Sequence, residues 1–359
     1  MRAVVLHEPG VLKVESVPDA VLPPGGLLIE PSAVGICGSD VRTWRHGSPR
    51  LTGPQVLGHE LAGTIMASDV PDLPPGAPVA VCPGAPCGTC RYCRAAHHNL
   101  CRRRRVLGYD IPGGMAEAVA IPADWIRAGC VVELGPRVDV RHGAVAEPLH
   151  TVLNGQDQAR IEAADSVLIL GLGPIGVLHA ATARSLGSTT VVGADPEPRR
   201  VSTARELVDG LDAIRIENGW EARARAATED GEGFDVVIVA TGVRPALASA
   251  MDFVAPNGRV LAFAGFPPGA AGFEVDMYRL HYGQLSLLGS FGGTPRTFRR
   301  AVEWLSTTGF PVASFTTTRF PLESAIEAFE AVERGDGLKT LLEIGASTGG
   351  PSASLSVPV

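Results

Sequence analysis

At 359 residues the chain exceeds the roughly 250 to 300 at which a single hydrophobic core stops growing, so two domains are expected. Hydrophobic residues at 45%, charged residues at 19%, and 43 Gly with 29 Pro exclude general disorder and describe a buried core joined by many turns. A formal net charge of -7 argues against nucleic acid as the main partner, since polyanions are held by clustered Lys and Arg.

Residues 1–10 lack the apolar run of a secretory signal, and no later stretch approaches about 18 uninterrupted apolar residues, so a cytoplasmic protein without a membrane partner is expected. From residue 1 to 148, short apolar runs are broken by Pro23-Pro24-Gly25-Gly26 and Pro74-Pro75-Gly76, the texture of an irregular, mostly-β domain. Two segments here, Gly35-Ile36-Cys37-Gly38-Ser39-Asp40 and Gly58-His59-Glu60, carry chemistry-bearing side chains. Further on, Cys87, Cys90, Cys93 and Cys101 are spaced so that one short loop can wrap four thiolates around a structural Zn²⁺. Reduced loop cysteines or a disulfide are the alternative reading. A closed site of this kind can supply on the order of 10 kcal/mol to a lobe with little core. Cys82 and Cys130 fall outside the spacing and are expected as small buried hydrophobes. The run Arg102-Arg103-Arg104-Arg105 reads as a solvated face, with an anionic partner or a subunit interface as the other possibility.

Between 149 and 284 the texture changes to alternating strands and helices: strands near 167–170, 190–195, 235–240 and 259–264, helices near 174–186 and 199–208, and a further apolar run at 285–291. Regular alternation implies βαβ crossovers and a doubly wound parallel sheet, hence an α/β fold. Gly171-Leu172-Gly173-Pro174-Ile175-Gly176 sits at the first strand-to-helix turn, where glycines admit a dinucleotide pyrophosphate at the helix N-terminus. Asp195 ends the next strand, where a carboxylate would accept the adenosine ribose hydroxyls and repel a 2′-phosphate. That favours NAD over NADP, although Arg199 and Arg200 soften the inference. Thr241 and Gly265 end later strands and either line the nicotinamide side or are simple turn residues. The stretch 285–346 is expected to rejoin the first domain, and 347–359, rich in Ser, Gly and Pro, to form a flexible tail.

Taken together, the Cys37 and His59 segments, the four-cysteine loop and the glycine-rich turn resemble the zinc-containing medium-chain alcohol dehydrogenases, in particular the sorbitol and polyol branch. The resemblance runs to about residue 344 and implies a GroES-like catalytic domain beside a Rossmann domain. It implies catalytic zinc ligands at Cys37 and His59, with Glu60 ligating or moving in and out. Glu147, in Val145-Ala146-Glu147-Pro148-Leu149, stands where that branch places a carboxylate at or one water from the metal. Ser39 would pass the hydroxyl proton outward, and Arg200 resembles the family's adenine-flanking Arg. A thiolate, an imidazole and one or two carboxylates leave an open position, the mark of a catalytic zinc. The implied cofactors are two zinc ions and NAD, the partner a small polar alcohol or ketone, and the assembly a homodimer or homotetramer.

The chain departs from that branch at three places. Arg42 replaces the proton-relay His, with His46 a surface residue by the simpler reading. Thr43 lacks the bulky aromatic that sorbitol enzymes carry nearby, and Gly292-Gly293 replaces an Arg-Tyr pair after Gly289-Ser290-Phe291. These changes predict a pocket roomier than sorbitol needs, suited to a cyclitol, an amino-cyclitol or a sugar-derived intermediate. An L-threonine 3-dehydrogenase-like activity on amino-alcohols or diols is the alternative, and a non-catalytic NAD-binding protein a more distant one.

Overall fold

Pro and Gly do not sustain a long ladder, and they cut the first third of the chain into short strands. The computed structural model describes residues 1–265 and 272–345; the expected tail at 347–359 lies outside them. Strand Arg2–Glu8 pairs antiparallel with Val11–Ser16 and with Gln55–Val56. A larger sheet runs in the order Val131–Glu133, Pro78–Val81, Glu60–Ser68, Leu27–Gly35, Thr340–Glu343, Thr318–Pro321, with Val119–Ile121 also paired to Leu27–Gly35. Its last two strands come from the C-terminal stretch, so a sheet begun at the N-terminus is completed after the chain has built a second one.

That second sheet is wholly parallel, in the order Leu211–Arg215, Val191–Asp195, Val167–Leu170, Phe234–Val239, Val254–Ala262, Ser286–Gly289. The first strand in sequence lies at the centre, so the order reverses beside it, and a crevice opens at the carboxyl ends of Val167–Leu170 and Phe234–Val239. Helices on both faces explain why Val167–Leu170 is buried at every position instead of alternating. The architecture is α/β, with the mixed sheet and the doubly wound sheet side by side.

Two expected boundaries move. Ser286–Gly289 pairs with Val254–Ala262 as the sixth parallel strand, so a boundary at 284 cuts the sheet one strand short. Helix Ala146–Ala159 runs straight through the boundary at 148. Its first turn carries Glu147, while near its far end Gln156 donates to the carbonyl of His179 (2.9 Å) and to Thr182 (2.7 Å) on helix Pro174–Leu186. One rigid element thus fixes the catalytic side against the cofactor side. Among the described residues no helix is long and apolar enough to cross a membrane.

Candidate active site and cofactor cleft

Strand Leu27–Gly35 delivers the chain to Cys37, which caps helix Gly38–His46 with extended backbone (φ -93°, ψ 152°). At the third helical position Asp40 accepts the Cys37 N–H (2.9 Å), half of a capping box. Its other carboxylate oxygen faces His59 Nδ1 at 3.1 Å, across a buried contact. One side chain therefore orients both candidate ligands, leaving His59 Nε2 as the nitrogen available to a metal. Burial alone would lower the His59 pKa, but Asp40 and Cys37 together hold it well above the usual imidazole value. A cation replacing that proton fits the same charges.

Glu60 opens strand Glu60–Ser68 and lies opposite Gly35 in the antiparallel ladder. A Cβ at Gly35 would fall 2.0 Å from the Glu60 carboxylate and 2.9 Å from Lys339 Cε, so only glycine leaves room for the pair. Lys339 is buried, contacts the Glu60 carboxylate and donates to the carbonyl of Ile36 (3.0 Å). Burial opposes the lysine's charge, yet Glu60 keeps its pKa above the ordinary value.

The potential ligand atoms of Cys37, His59 and Glu60 all lie within 4.8 Å of one another. Glu147 is not in that cluster, but it is buried in the wall of the same cleft. Burial raises its pKa and Glu60 adds to the rise, while His59 and His150 oppose it. The cleft, about 570 Å³, also takes in Ser39 and Arg42 from the capped helix, Pro174 and Ile175 from the start of helix Pro174–Leu186, and Ala240 and Gly265 just beyond the ends of parallel strands. His46 sits exposed at the far end of its helix and does not reach it.

A second cluster is the loop of Cys87, Cys90, Cys93 and Cys101, again with all ligand atoms within 4.8 Å. All seven cysteines are free, so the disulfide alternative falls. Sulfur separations of 3.5 Å (Cys90 to Cys93) and 4.0 Å (Cys87 to Cys93) match the ~3.8 Å that four sulfurs adopt tetrahedrally at about 2.3 Å from zinc. Backbone N–H groups around Thr89 pull the Cys87 thiol down to about 5, whereas burial pushes Cys93 up to about 12. A cation shared by the four thiols would resolve that conflict. Cys82 and Cys130 are buried elsewhere, adjoining across a strand pair with Cys82 N–H on the Cys130 carbonyl (2.7 Å).

On the cofactor side, Gly171 takes a left-handed conformation (φ 99°), and a Cβ on Gly176 would lie 1.8 Å from the Gly171 carbonyl oxygen. The turn therefore requires both glycines, with Gly173 capping helix Pro174–Leu186. Asp195 is buried: one carboxylate oxygen accepts the Leu172 N–H (2.8 Å), the other the Glu197 N–H (2.9 Å), and Arg200 stands 3.7 Å away. Gly171, Asp195, Arg200 and Thr241 line a neighbouring cavity of about 750 Å³ with Trp220 and Phe253. Thr241 packs on Gly171 where the fourth parallel strand ends, and lines the same cavity as Asp195. Gly265 faces the metal cleft.

Comparison with known proteins bears on this geometry. The alcohol dehydrogenase GroES-like domain matches residues 23–128, and the zinc-binding dehydrogenase domain matches 174–307. The D-altritol 5-dehydrogenase of Agrobacterium fabrum is 34% identical over 92% of this chain and 95% of its own length. The sorbitol dehydrogenase of Gallus gallus is 30% identical over 95% and 96%. The chain belongs to the zinc-containing medium-chain alcohol dehydrogenases. It falls in their polyol branch, as an oxidoreductase using zinc and a nicotinamide dinucleotide on small-molecule alcohols. Among solved structures, a zinc-binding dehydrogenase from Sinorhizobium meliloti with NADP bound superposes with a TM-score of 0.87 at 29% identity, covering 95% of this chain and 98% of that one.

Several residues of the dehydrogenase site escape a reading of the sequence. Asp40 was visible only as a third-position acid after a capping residue, and Lys339 as a lone charge in an otherwise apolar run. Beside two of the departures from the sorbitol pattern the structure brings other side chains. Thr43 meets the Tyr109 hydroxyl (3.4 Å), and the Tyr109 ring lies 6.1 Å from that of His59, so an aromatic arrives from another segment. At Gly293 a Cβ would lie 2.1 Å from buried His150, the residue one helical turn past Glu147. His150 fills the space beside Gly293, and neither residue lines the cleft, so the replacement at 293 does not by itself widen it. Gly293→Ala is expected to destabilise the protein by about 1–3 kcal/mol through overpacking, read as a lower denaturant midpoint at unchanged m-value.

Proposed function

We propose that the dehydrogenase interconverts a secondary alcohol and its ketone on a polyol, cyclitol, amino-cyclitol or other sugar-derived substrate, with NAD as the hydride carrier. The observation that carries this reading is the convergence of Cys37, His59 and Glu60 on the floor of a cleft whose opposite wall is the crevice of the parallel sheet. Zinc held by Cys37 and His59, with Glu60 or Glu147 as the carboxylate, would polarise the substrate hydroxyl and make its proton acidic. NAD seated across Gly171, Gly173, Pro174, Ile175 and Gly176 would accept the hydride. A second zinc belongs to Cys87, Cys90, Cys93 and Cys101, where it holds a lobe rather than a reaction.

The chain's own side chains divide the remaining work. Ser39 takes the hydroxyl proton. Arg42, beside it, cannot be deprotonated and so ends the relay, and the proton passes from Ser39 to water at the cleft mouth. Asp40 holds both ligand segments, and Lys339 holds Glu60 in place. Glu147, fixed by helix Ala146–Ala159, presents a buried carboxyl to the substrate side.

The preference for NAD rests on Asp195. Its buried charge lies beside the cavity suited to the adenosine half and disfavours a 2′-phosphate, while the adjacent Arg200 is already turned to it. Asp195→Ala is expected to lower the ratio of kcat/KM for NAD over NADP by about tenfold or more, on the scale of one desolvated charge contact. An unchanged ratio would remove Asp195 from the selectivity.

We place the enzyme in the cytoplasm as a homodimer or homotetramer. Strand Ser286–Gly289 is an edge of the parallel sheet, and Leu287, Met277, Tyr278 and Tyr282 stand exposed near it, a surface that a second copy would cover. Gel filtration with light scattering reads the mass against the 37.4 kDa chain.

The test of the reaction is a panel of sorbitol, myo-inositol, amino-cyclitols and L-threonine, followed by NADH absorbance with each cofactor. Oxidation of polyols or cyclitols with NAD is expected. A clear preference for L-threonine would replace this reading with the amino-alcohol one.

A further inference from the structure

The four-arginine run does not behave as one patch. Arg103 donates to Thr89 (2.5 Å) and to the Cys87 sulfur (3.3 Å), Arg105 pairs with Asp124 (2.6 Å), and Arg102 lies over the Tyr92 ring (5.9 Å). These three brace or cover the four-cysteine lobe. Arg104 turns the other way. Its stem runs along Gly84, where a Cβ would meet its Cδ at 2.9 Å, and its guanidinium lies 5.3 Å over the ring of Phe291. Nη1 comes within 3.5 Å of the position a Gly292 Cβ would take. Phe291 and Gly292 line the cleft that holds Cys37, His59 and Glu147, and the Phe291 carbonyl is tethered by Asn99 (2.8 Å).

Among the described residues the Arg104 side chain makes no hydrogen bond and no ion pair. Burial pushes its pKa down, and Arg50 pushes the same way. Cys82, Glu147 and Cys101 favour its charge from a distance, without a hydrogen bond or ion pair to the guanidinium. The Phe291 face offsets part of the desolvation but accepts no N–H. A half-buried guanidinium with five donors and no protein acceptor among the described residues is suited to a partner that brings both oxygens and negative charge. Neutral hydroxyls would satisfy donors and leave the charge uncompensated.

We propose that Arg104 is a specificity-determining residue that receives the carboxylate of a polyhydroxylated acid substrate, past Gly292 from the reacting carbon. Arg104 stands behind Phe291 and Gly292 rather than among the residues that line the cleft, and the absence of a side chain at position 292 leaves the guanidinium uncovered on that side. This proposal rests on the polyol reading above and narrows it from neutral sugar alcohols to sugar acids.

The experiment compares kcat and KM, with NAD, for neutral hexitols and for aldonic acids of the same length and hydroxyl configuration, in the wild-type enzyme and in Arg104→Ala, Arg104→Gln and Arg104→Lys. The wild type is expected to favour the acid by 10-fold or more in kcat/KM. Arg104→Ala and Arg104→Gln are expected to raise KM for the acid about 10- to 100-fold, a larger change than for the hexitol, with kcat for the acid moving less than threefold. Arg104→Lys should recover part of the loss, since charge is kept while the bidentate fork is not. Melting temperature and zinc content of each variant separate a binding effect from misfolding. A wild type that turns over the hexitol as well as the acid overturns this proposal and leaves the polyol reading intact, as does an acid preference that survives in Arg104→Ala. Turnover of neither class, nor of the cyclitols and amino-cyclitols of the panel above, overturns both.

Discussion

His59→Ala is expected to lower kcat by at least about 10⁴-fold, some 5 kcal/mol at 1.36 kcal/mol per decade, while the protein stays folded. The imidazole is one of three potential ligand atoms within 4.8 Å, and its Nδ1 is held by Asp40, so its loss removes a donor and leaves the Asp40 carboxylate buried without its partner. Metal content provides the second readout. Bound zinc should fall from about two to about one per chain, because the sulfurs of Cys87, Cys90, Cys93 and Cys101 form a separate cluster that shares no residue with the first. Cys37→Ser should act in the same direction. Turnover by His59→Ala at the wild-type rate would refute metal-assisted chemistry at this cleft.

Lys339→Met is expected to cost about 3–5 kcal/mol of stability, the scale of breaking a buried ion pair by removing one partner. Glu60 is almost fully buried, at 1% exposure, and Lys339 at 4%, so water does not compensate the abandoned carboxylate. Urea unfolding measures the loss, and Lys339→Met combined with Glu60→Gln should recover most of it, because the charge that needed the lysine is gone. Activity supplies an independent arm: a Glu60 no longer held by lysine would shift relative to Cys37 and His59, and kcat is expected to fall in the single variant. Equal stability of Lys339→Met and wild type would mean that the pair is already dispensable.

In the cofactor half the central strands and the first two helices were legible, while strand Leu211–Arg215 and helices Trp220–Arg225 and Arg244–Phe253 were not. Runs read as strands at 167–170 and 190–195 appear as Val167–Leu170 and Val191–Asp195, and the helix read at 174–186 is Pro174–Leu186. The reason is local: Val167–Leu170 and Val191–Asp195 are buried along their whole length and so are almost continuously apolar, and the first βα turn announces itself in glycines that the backbone requires. Where that regularity ends, so did the reading. Ser286–Gly289 alternates between half-buried and exposed positions as an edge strand, and its assignment to the parallel sheet depends on pairing with Val254–Ala262.

In the catalytic half, two kinds of information part company. Metal-ligand spacing within one loop, a capping residue followed three later by an acid, and a glycine turn before a helix are short-range patterns, set by bond geometry over a few residues, and they were written in the order of the amino acids. Lys339 bonding the carbonyl of Ile36, 303 positions away, was not, nor was the arrival of Tyr109 beside Thr43 or of Arg104 at Gly292. Those contacts exist because the C-terminal strands Thr318–Pro321 and Thr340–Glu343 return to complete a sheet begun at Leu27–Gly35, and because the chain leaving the four-cysteine lobe passes the cleft. Local sequence named the metal and the dinucleotide, and the folded topology alone decided which side chains stand opposite the substrate.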